Sequence, residues 1–370
     1  MKKHHIVLAI LLIAISIVVY SGCTRTSPVQ DASIYPSESP LISQMQSPPE
    51  SSTTATPSVS QSLPTSDWQK KTIYYIAPTI GSYGTLTPAG VAQASKDVDC
   101  DFILQGVLDT DAERQVLLIE NAVSSDADAI IIKVVDSEAV AGAVSWAYQS
   151  GIPIVLIGGL AGTEDYSTCL IIDDFKVGSA AAAEMLRKLR DTGLSEDDNA
   201  EIAIQIGAAD PQATIDRLEG FREHWDLNSP SKWAVLWEDI KVNGGDLDIA
   251  TENGYEFLDK YPNIKGFFAP NNGSTIGFAT ALMESNRTDI TLVGFDISPE
   301  MQNIIRNRDF NASTMMPLQY KMGYDSIIIA YELANGGVVT EKTIDVGVLV
   351  VDIKNINEDN EVEIWKYVGQ

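Results

Sequence analysis

The chain has 370 residues, 45% of them hydrophobic and 8% aromatic, which is enough apolar material for packed domains and too much for a wholly disordered protein. Its 25 Lys and Arg stand against 51 Asp and Glu, a formal charge of −26. That balance excludes nucleic acid and anionic lipid headgroups as main partners, because phosphate binding needs clustered cations.

The first element is an export signal. Met1-Lys2-Lys3 precedes an almost wholly apolar run from Ile6 to Tyr20, then Ser21-Gly22-Cys23. A basic start, a short apolar run and small residues describe a secretory signal over residues 1–22. Cys23 in that place resembles the lipobox of bacterial lipoproteins. The resemblance implies a lipid on Cys23 and cleavage just before it, although Tyr20 stands where the pattern prefers leucine. The alternative is an uncleaved anchor, for which the run is just short of the roughly 17–25 apolar residues that span a bilayer. Either way the globular part is expected outside the cytoplasm, on the outer face of the cell membrane. Residues 23–70 are rich in Ser, Thr and Pro and read as a disordered tether, since they cannot bury enough surface to offset the entropy of ordering.

From residue 71 the chain alternates short β-branched runs with amphipathic stretches. Strands are expected over 73–77, 102–108, 129–132 and 154–157, and helices over 89–98, 112–124 and 137–149. The pattern restarts after Asp173-Asp174, with helices over 177–190, 212–225, 247–258 and 275–284 and strands over 202–206, 234–237, 266–269 and 291–295. Near-continuous apolar strands between amphipathic helices imply parallel sheets covered on both faces, hence an α/β protein of two doubly wound lobes. About 300 residues suffice for both cores. In such sheets the ligand sits beyond the carboxyl ends of the strands, in a cleft between lobes.

The strand-end residues there are polar or small: Ser82 and Tyr83, Gly158-Gly159, Asp173-Asp174, Pro270-Asn271-Asn272 and Asp296. Four motifs carry a resemblance to the ribose-binding, LacI-like periplasmic binding proteins of type I. They are Gly151-Ile152-Pro153-Ile154-Val155, Arg217-Leu218-Glu219-Gly220-Phe221, Phe268-Ala269-Pro270-Asn271-Asn272 and Val293-Gly294-Phe295-Asp296-Ile297-Ser298-Pro299. The resemblance implies two Rossmann-like lobes of strand order 2-1-3-4-5 joined by a three-segment hinge. It divides the chain into lobe 1 (71–173 and 319–338), lobe 2 (174–318 and 339–354) and an acidic tail (355–370). It also implies that Arg217, Asn271 and Asp296 bind ligand hydroxyls; Ser82, Tyr83 and Asp173 are expected at the ligand from their strand-end places, the Tyr83 ring as a face for stacking on a sugar. The chemistry fits, since carboxylate and amide accept from hydroxyls and guanidinium donates to them. Each residue also has a plainer reading: a cap for Asp296, a strand-end turn for Asn271, a surface ion pair for Arg217 and loop-tip exposure for Tyr83.

Departures from the resemblance bear on the ligand. Ribose-type proteins carry Asp-Arg where this chain has Gly158-Gly159, and their hinge glutamine is replaced by Met315-Met316-Pro317-Leu318-Gln319. The glycine pair leaves room for a bulkier ligand. Cys100 and Cys169 are read as buried free thiols. The resulting expectation is a monomeric, non-enzymatic, lipid-anchored receptor. It needs no cofactor or metal, and it delivers a monosaccharide or related polyol to the permease of an ABC importer. The alternative is presentation of the ligand-bound form to a sensor histidine kinase or chemoreceptor, a role open to a non-sugar ligand as well. A third reading, catalysis, finds no Ser-His-Asp set or phosphate loop; His224 is the lone histidine after the signal.

Overall fold

The computed structural model describes residues 70–77, 86–106, 111–208, 211–307 and 310–356. The signal, Cys23, the tether, Ser82 and Tyr83, and the tail from 357 lie outside the described residues. In chain order the first elements are β1 (Thr72–Ala77), α1 (Leu86–Asp97), β2 (Asp101–Gly106), α2 (Ala112–Ser124), β3 (Ala129–Lys133), α3 (Ser137–Gln149), β4 (Ile154–Ile157) and β5 (Thr168–Ile171). There follow α4 (Asp174–Asp191), β6 (Ala200–Ile206), α5 (Gln212–Asn228), β7 (Trp233–Val235), β8 (Lys241–Val242), α6 (Leu247–Lys260), β9 (Ile264–Phe268), α7 (Asn272–Glu284), β10 (Thr291–Phe295), α8 (Pro299–Asn307) and β11 (Asn311–Pro317). The described part closes with α9 (Gln319–Ala334), β12 (Thr343–Asp345) and β13 (Val348–Asp352).

These strands make two sheets, ordered β2-β1-β3-β4-β5-β12 and β7-β6-β9-β10-β11-β13, with β8 pairing the end of β6. The first five strands of each follow the expected 2-1-3-4-5 order. All pairs along these two paths are parallel except β11 with β13. Each sheet is buried on both faces because its strands alternate apolar residues toward two separate cores. On β3, Ala129 and Ile131 join the core containing α1 and α9, while Ile130 and Ile132 join that of α2 and α3. In lobe 2, β9 divides likewise: Phe267 packs with α6, α7 and α8, and Phe268 with α4 and α5. Acidic or amide residues start the helices: the side chains of Asp111, Asp136, Asp173, Asp246 and Asn271 accept backbone N–H groups of α2, α3, α4, α6 and α7.

Two sequence assignments need correction. Residues 339–354 do not belong wholly to lobe 2: β12 pairs in parallel with β5, through Ile344 opposite Leu170, so lobe 1 runs on to Asp345 and only β13 joins lobe 2. The strand expected over 234–237 is the shorter β7, and Trp237–Asp239 turn as a 3₁₀ segment. There the Trp237 ring meets Phe221 edge-on, with the Arg222 guanidinium 4.1 Å from its centroid. Cys100 and Cys169 are free and buried, and burial raises both thiols to about 12. They lie at opposite sides of the first sheet, with β1, β3 and β4 between β2 and β5.

The chain passes between lobes after β5, after β11 and after β12. Each of these is a carboxyl end, and strands in a parallel sheet share one direction. The carboxyl ends of both sheets therefore face the crossings. Two crossings are latched together: Lys176 Nζ lies 3.1 Å from Asp173 Oδ2 and 3.0 Å from Asp345 Oδ2, while Asp345 Oδ1 accepts the N–H groups of Asp173 and Gly347 at 3.2 and 3.0 Å.

Candidate functional site

Arg217, on α5, is held in three ways. Its Nε and Nη2 both donate to Asp174 Oδ1 at 2.7 Å, its Nη1 donates to the Pro270 carbonyl at 2.7 Å, and the guanidinium lies 3.6 Å from the Phe295 ring centroid. A planar guanidinium stacked on a ring and forked onto fixed acceptors has little freedom left. This is no surface ion pair, since both partners are largely buried. Asp174 is raised from the usual carboxylate range by desolvation, with Arg217 opposing the shift.

Phe295 ends β10, and the next residue is Asp296. Its backbone is fixed in the left-handed region at φ 62°, its N–H donating to the Met315 carbonyl at 2.8 Å and its carbonyl accepting from Thr314 Oγ1. Aspartate tolerates this region better than most residues, at some cost in strain. Burial raises the carboxyl of Asp296 to about 6, and the nearby Arg217 only partly offsets it.

The amides come from the start of α7. Asn271 Oδ1 accepts the Ser274 N–H at 2.9 Å, so that oxygen acts as a helix cap, in line with the plainer reading of a strand-end turn. Its Nδ2 end packs against the end of β6, where a Cβ on Gly207 would lie 3.3 Å from it. Asn272 Oδ1 is buried with no hydrogen-bond partner among the described residues, an uncommon state for a buried amide oxygen. The helix is drawn against β10 by Gly294, where a Cβ would come within 2.3 Å of Thr275 Cγ2, and by the Phe295 N–H bond to Thr275 Oγ1 at 3.0 Å. This contact brings Asn271, Asn272 and Asp296 together.

Asp173 is placed differently from the other three. Its Oδ1 caps α4 at the Lys176 N–H and its Oδ2 pairs with the Lys176 ammonium, so it serves the hinge while its neighbour Asp174 reaches Arg217. The helix start settles this, since it turns adjacent carboxylates to different sides. Sequence reasoning passed over the buried amides beneath the site. Gln205 Nε2 donates to the carbonyls of Ala250 and Ser274 at 3.0 and 3.1 Å, and Asn243 Nδ2 donates to Ser274 Oγ at 2.7 Å. The signal was available: Gln205 is the one polar side chain in the run Ile202-Ala203-Ile204-Gln205-Ile206.

The model for the periplasmic binding protein domain matches residues 73–337. The chain belongs to this family. Membership gives residues 73–337 the domain of a periplasmic binding protein. Among relatives of this periplasmic binding protein, the D-apiose import binding protein of Paraburkholderia graminis is 28% identical over 211 residues, 57% of this chain and 64% of that protein. The ribose import binding protein RbsB of Bacillus subtilis is 28% identical over 205 residues, 55% of this chain and 62% of that protein. The chain thus matches a little under two thirds of the length of these curated relatives. The arabinose binding protein of Geobacillus stearothermophilus shares the fold, with a TM-score of 0.66 at 21% identity, covering 78% of this chain and 98% of that one.

Proposed function

We propose that this periplasmic binding protein captures a small polyhydroxylated ligand, a sugar, between its lobes and delivers it to an ABC importer while held to the membrane by a lipid on Cys23. The observation that carries the reading is the cluster at the carboxyl end of the second sheet. There a desolvated carboxylate, Asp296, stands with an immobilised guanidinium and an amide oxygen, Asn272 Oδ1, that has no partner among the described residues. Such a set offers acceptors and donors to several hydroxyls at once, and hydroxyls entering the site would relieve groups now short of partners. The names of the relatives, import binding proteins for ribose and for apiose, support the same class of ligand. A monomer suffices, because one chain carries both lobes and the hinge by which such lobes close.

Calorimetric titration of the full chain in detergent against a panel of monosaccharides and polyols tests this. A bound sugar should lose at least tenfold in affinity in Asp296→Ala, in keeping with about 1–3 kcal/mol for unpaired buried groups, while circular dichroism stays that of the wild type. Undiminished affinity would place the site elsewhere.

A further inference from the structure

Lys133 is the last residue of β3, and the cluster on lobe 2 makes no use of its side chain. Its backbone is firmly set: the Lys133 carbonyl accepts from Gln115 Nε2 at 2.9 Å, and Gln115 Oε1 accepts the Val135 N–H at 3.0 Å, so α2 pins the turn that leaves the strand. Its partner in register on β4 is Ile157, the residue before Gly158-Gly159. A Cβ on Gly158 would lie 3.6 Å from Lys133 Cε and 3.9 Å from Cγ. The lysine stem therefore runs along the space that the glycine leaves open.

Among the described residues the ammonium has no hydrogen bond or ion pair, although the chain holds 51 carboxylate side chains against 25 Lys and Arg. Burial alone perturbs it, lowering its basicity, and no described carboxylate is near enough to raise it. Elsewhere in the fold a buried or half-buried cation is provided for: Lys188 donates to Asn311 Oδ1 at 2.9 Å, and Lys71 pairs with Asp128 at 3.0 Å. A partly desolvated ammonium without a counter-ion is costly. This one stands at the carboxyl end of a central strand, the end toward which the cleft opens.

The two lobes thus present opposite chemistry. Lobe 2 offers Asp296, amides and an Arg217 whose charge is already paired with Asp174, which suits hydroxyls, and lobe 1 offers a cation unpaired among the described residues, beside a glycine pair, which suits an anion. We infer that the ligand is an acidic sugar, a polyhydroxylated molecule whose hydroxyls meet the Asp296 cluster and whose carboxylate or phosphate meets Lys133. The inference rests on the sugar-receptor reading and narrows its substrate class.

The test is calorimetric titration of the full chain in detergent with neutral aldoses and with their matching aldonates, uronates and sugar phosphates, for the wild type, Lys133→Gln and Lys133→Arg. At least one acid should bind tenfold or more tightly than its neutral counterpart, and its being a carboxylate or a phosphate identifies the anion. Lys133→Gln should lose that tenfold for the acid and leave any neutral sugar within twofold, while Lys133→Arg retains part of the preference. A neutral sugar that binds more tightly than all its acids would overturn the inference and leave the receptor reading standing. Equal weakening of neutral and acidic ligands in Lys133→Gln would overturn it too, by making Lys133 a support for the fold. Failure of every sugar, neutral or acidic, would overturn the receptor reading and this inference with it.

Discussion

Asp296 is held against two preferences, a backbone at φ 62° and a carboxyl raised by burial to about 6. From the ordinary value of 3.8 up to about 6, the folded protein keeps a proton that the unfolded chain has released. The contribution of this group to stability is therefore complete below pH 3.8 and lost as the pH rises through about 6. At about 1.4 kcal/mol per unit, the loss approaches 3 kcal/mol. The Asp296→Asn variant would carry no charge at this position, and asparagine tolerates the left-handed backbone equally well. Thermal melts should show this variant more stable than the wild type at pH 7, by about 2–4 °C for each kcal/mol recovered. The two should melt together at pH 4, and a variant no more stable at pH 7 would contradict the burial of the charge. Asp296 was legible as a strand-end acid in Gly294-Phe295-Asp296, because the residue after an apolar strand faces the cleft by topology alone. Lys133 was not, because a lysine closing Ala129-Ile130-Ile131-Ile132-Lys133 reads as an ordinary strand terminus, and only its want of a partner among the described residues distinguishes it.

Among the described elements, three helix pairs meet through glycines in close approach. A Cβ on Gly90 would come within 2.1 Å of the Tyr320 carbonyl oxygen and one on Gly323 within 2.0 Å of that of Thr87, which joins α1 to α9. Gly254 and Gly277 join α6 to α7 in a similar manner, facing the Cβ atoms of Ala281 and Ala250 at 2.5 and 2.3 Å. In the third pair, α4 with α5, a Cβ on Gly178 would sit 2.0 Å from the carbonyl oxygen of Arg217 itself. Alanine is ordinarily the better helix former by about 1 kcal/mol, but here the helices would have to part. Gly178→Ala should destabilise by about 1–3 kcal/mol and weaken ligand binding by displacing Arg217. Gly142→Ala on α3, where nothing described lies within 4 Å, should instead stabilise by about 0.5–1 kcal/mol. Chemical denaturation of both variants decides the matter, and equal effects would refute the close approach. The alternation of strands and helices was legible because each element carries its own apolar period. Which glycine meets which carbonyl was not, since Gly178 and Arg217 meet only once two helices have packed. The short Thr343-Ile344-Asp345 went to the wrong lobe for a related reason: three residues carry no period, and their sheet is set by the β5 edge they pair with.

For the molecule as a whole, the proposed anchor decides where binding is useful, since a receptor serving an importer must stay near it. Cys23→Ser should release the protein from membranes on fractionation, and retention would favour an uncleaved helix. Lobe 1 is also built from both halves of the chain. Its core takes Ile73, Ile131 and Val155 from the first part and Met322, Ile327, Ala330 and Ile344 from α9 and β12. A chain that leaves the ribosome or an export channel amino terminus first thus emerges with one face of β1 to β5 covered only by α1. It stays so until α9 and β12 have followed, and the long-range closure that completes it is slow by nature. Passage across the membrane in an unfolded state is thereby favoured by order of synthesis alone, because the piece that would close the first lobe too soon is among the last to arrive.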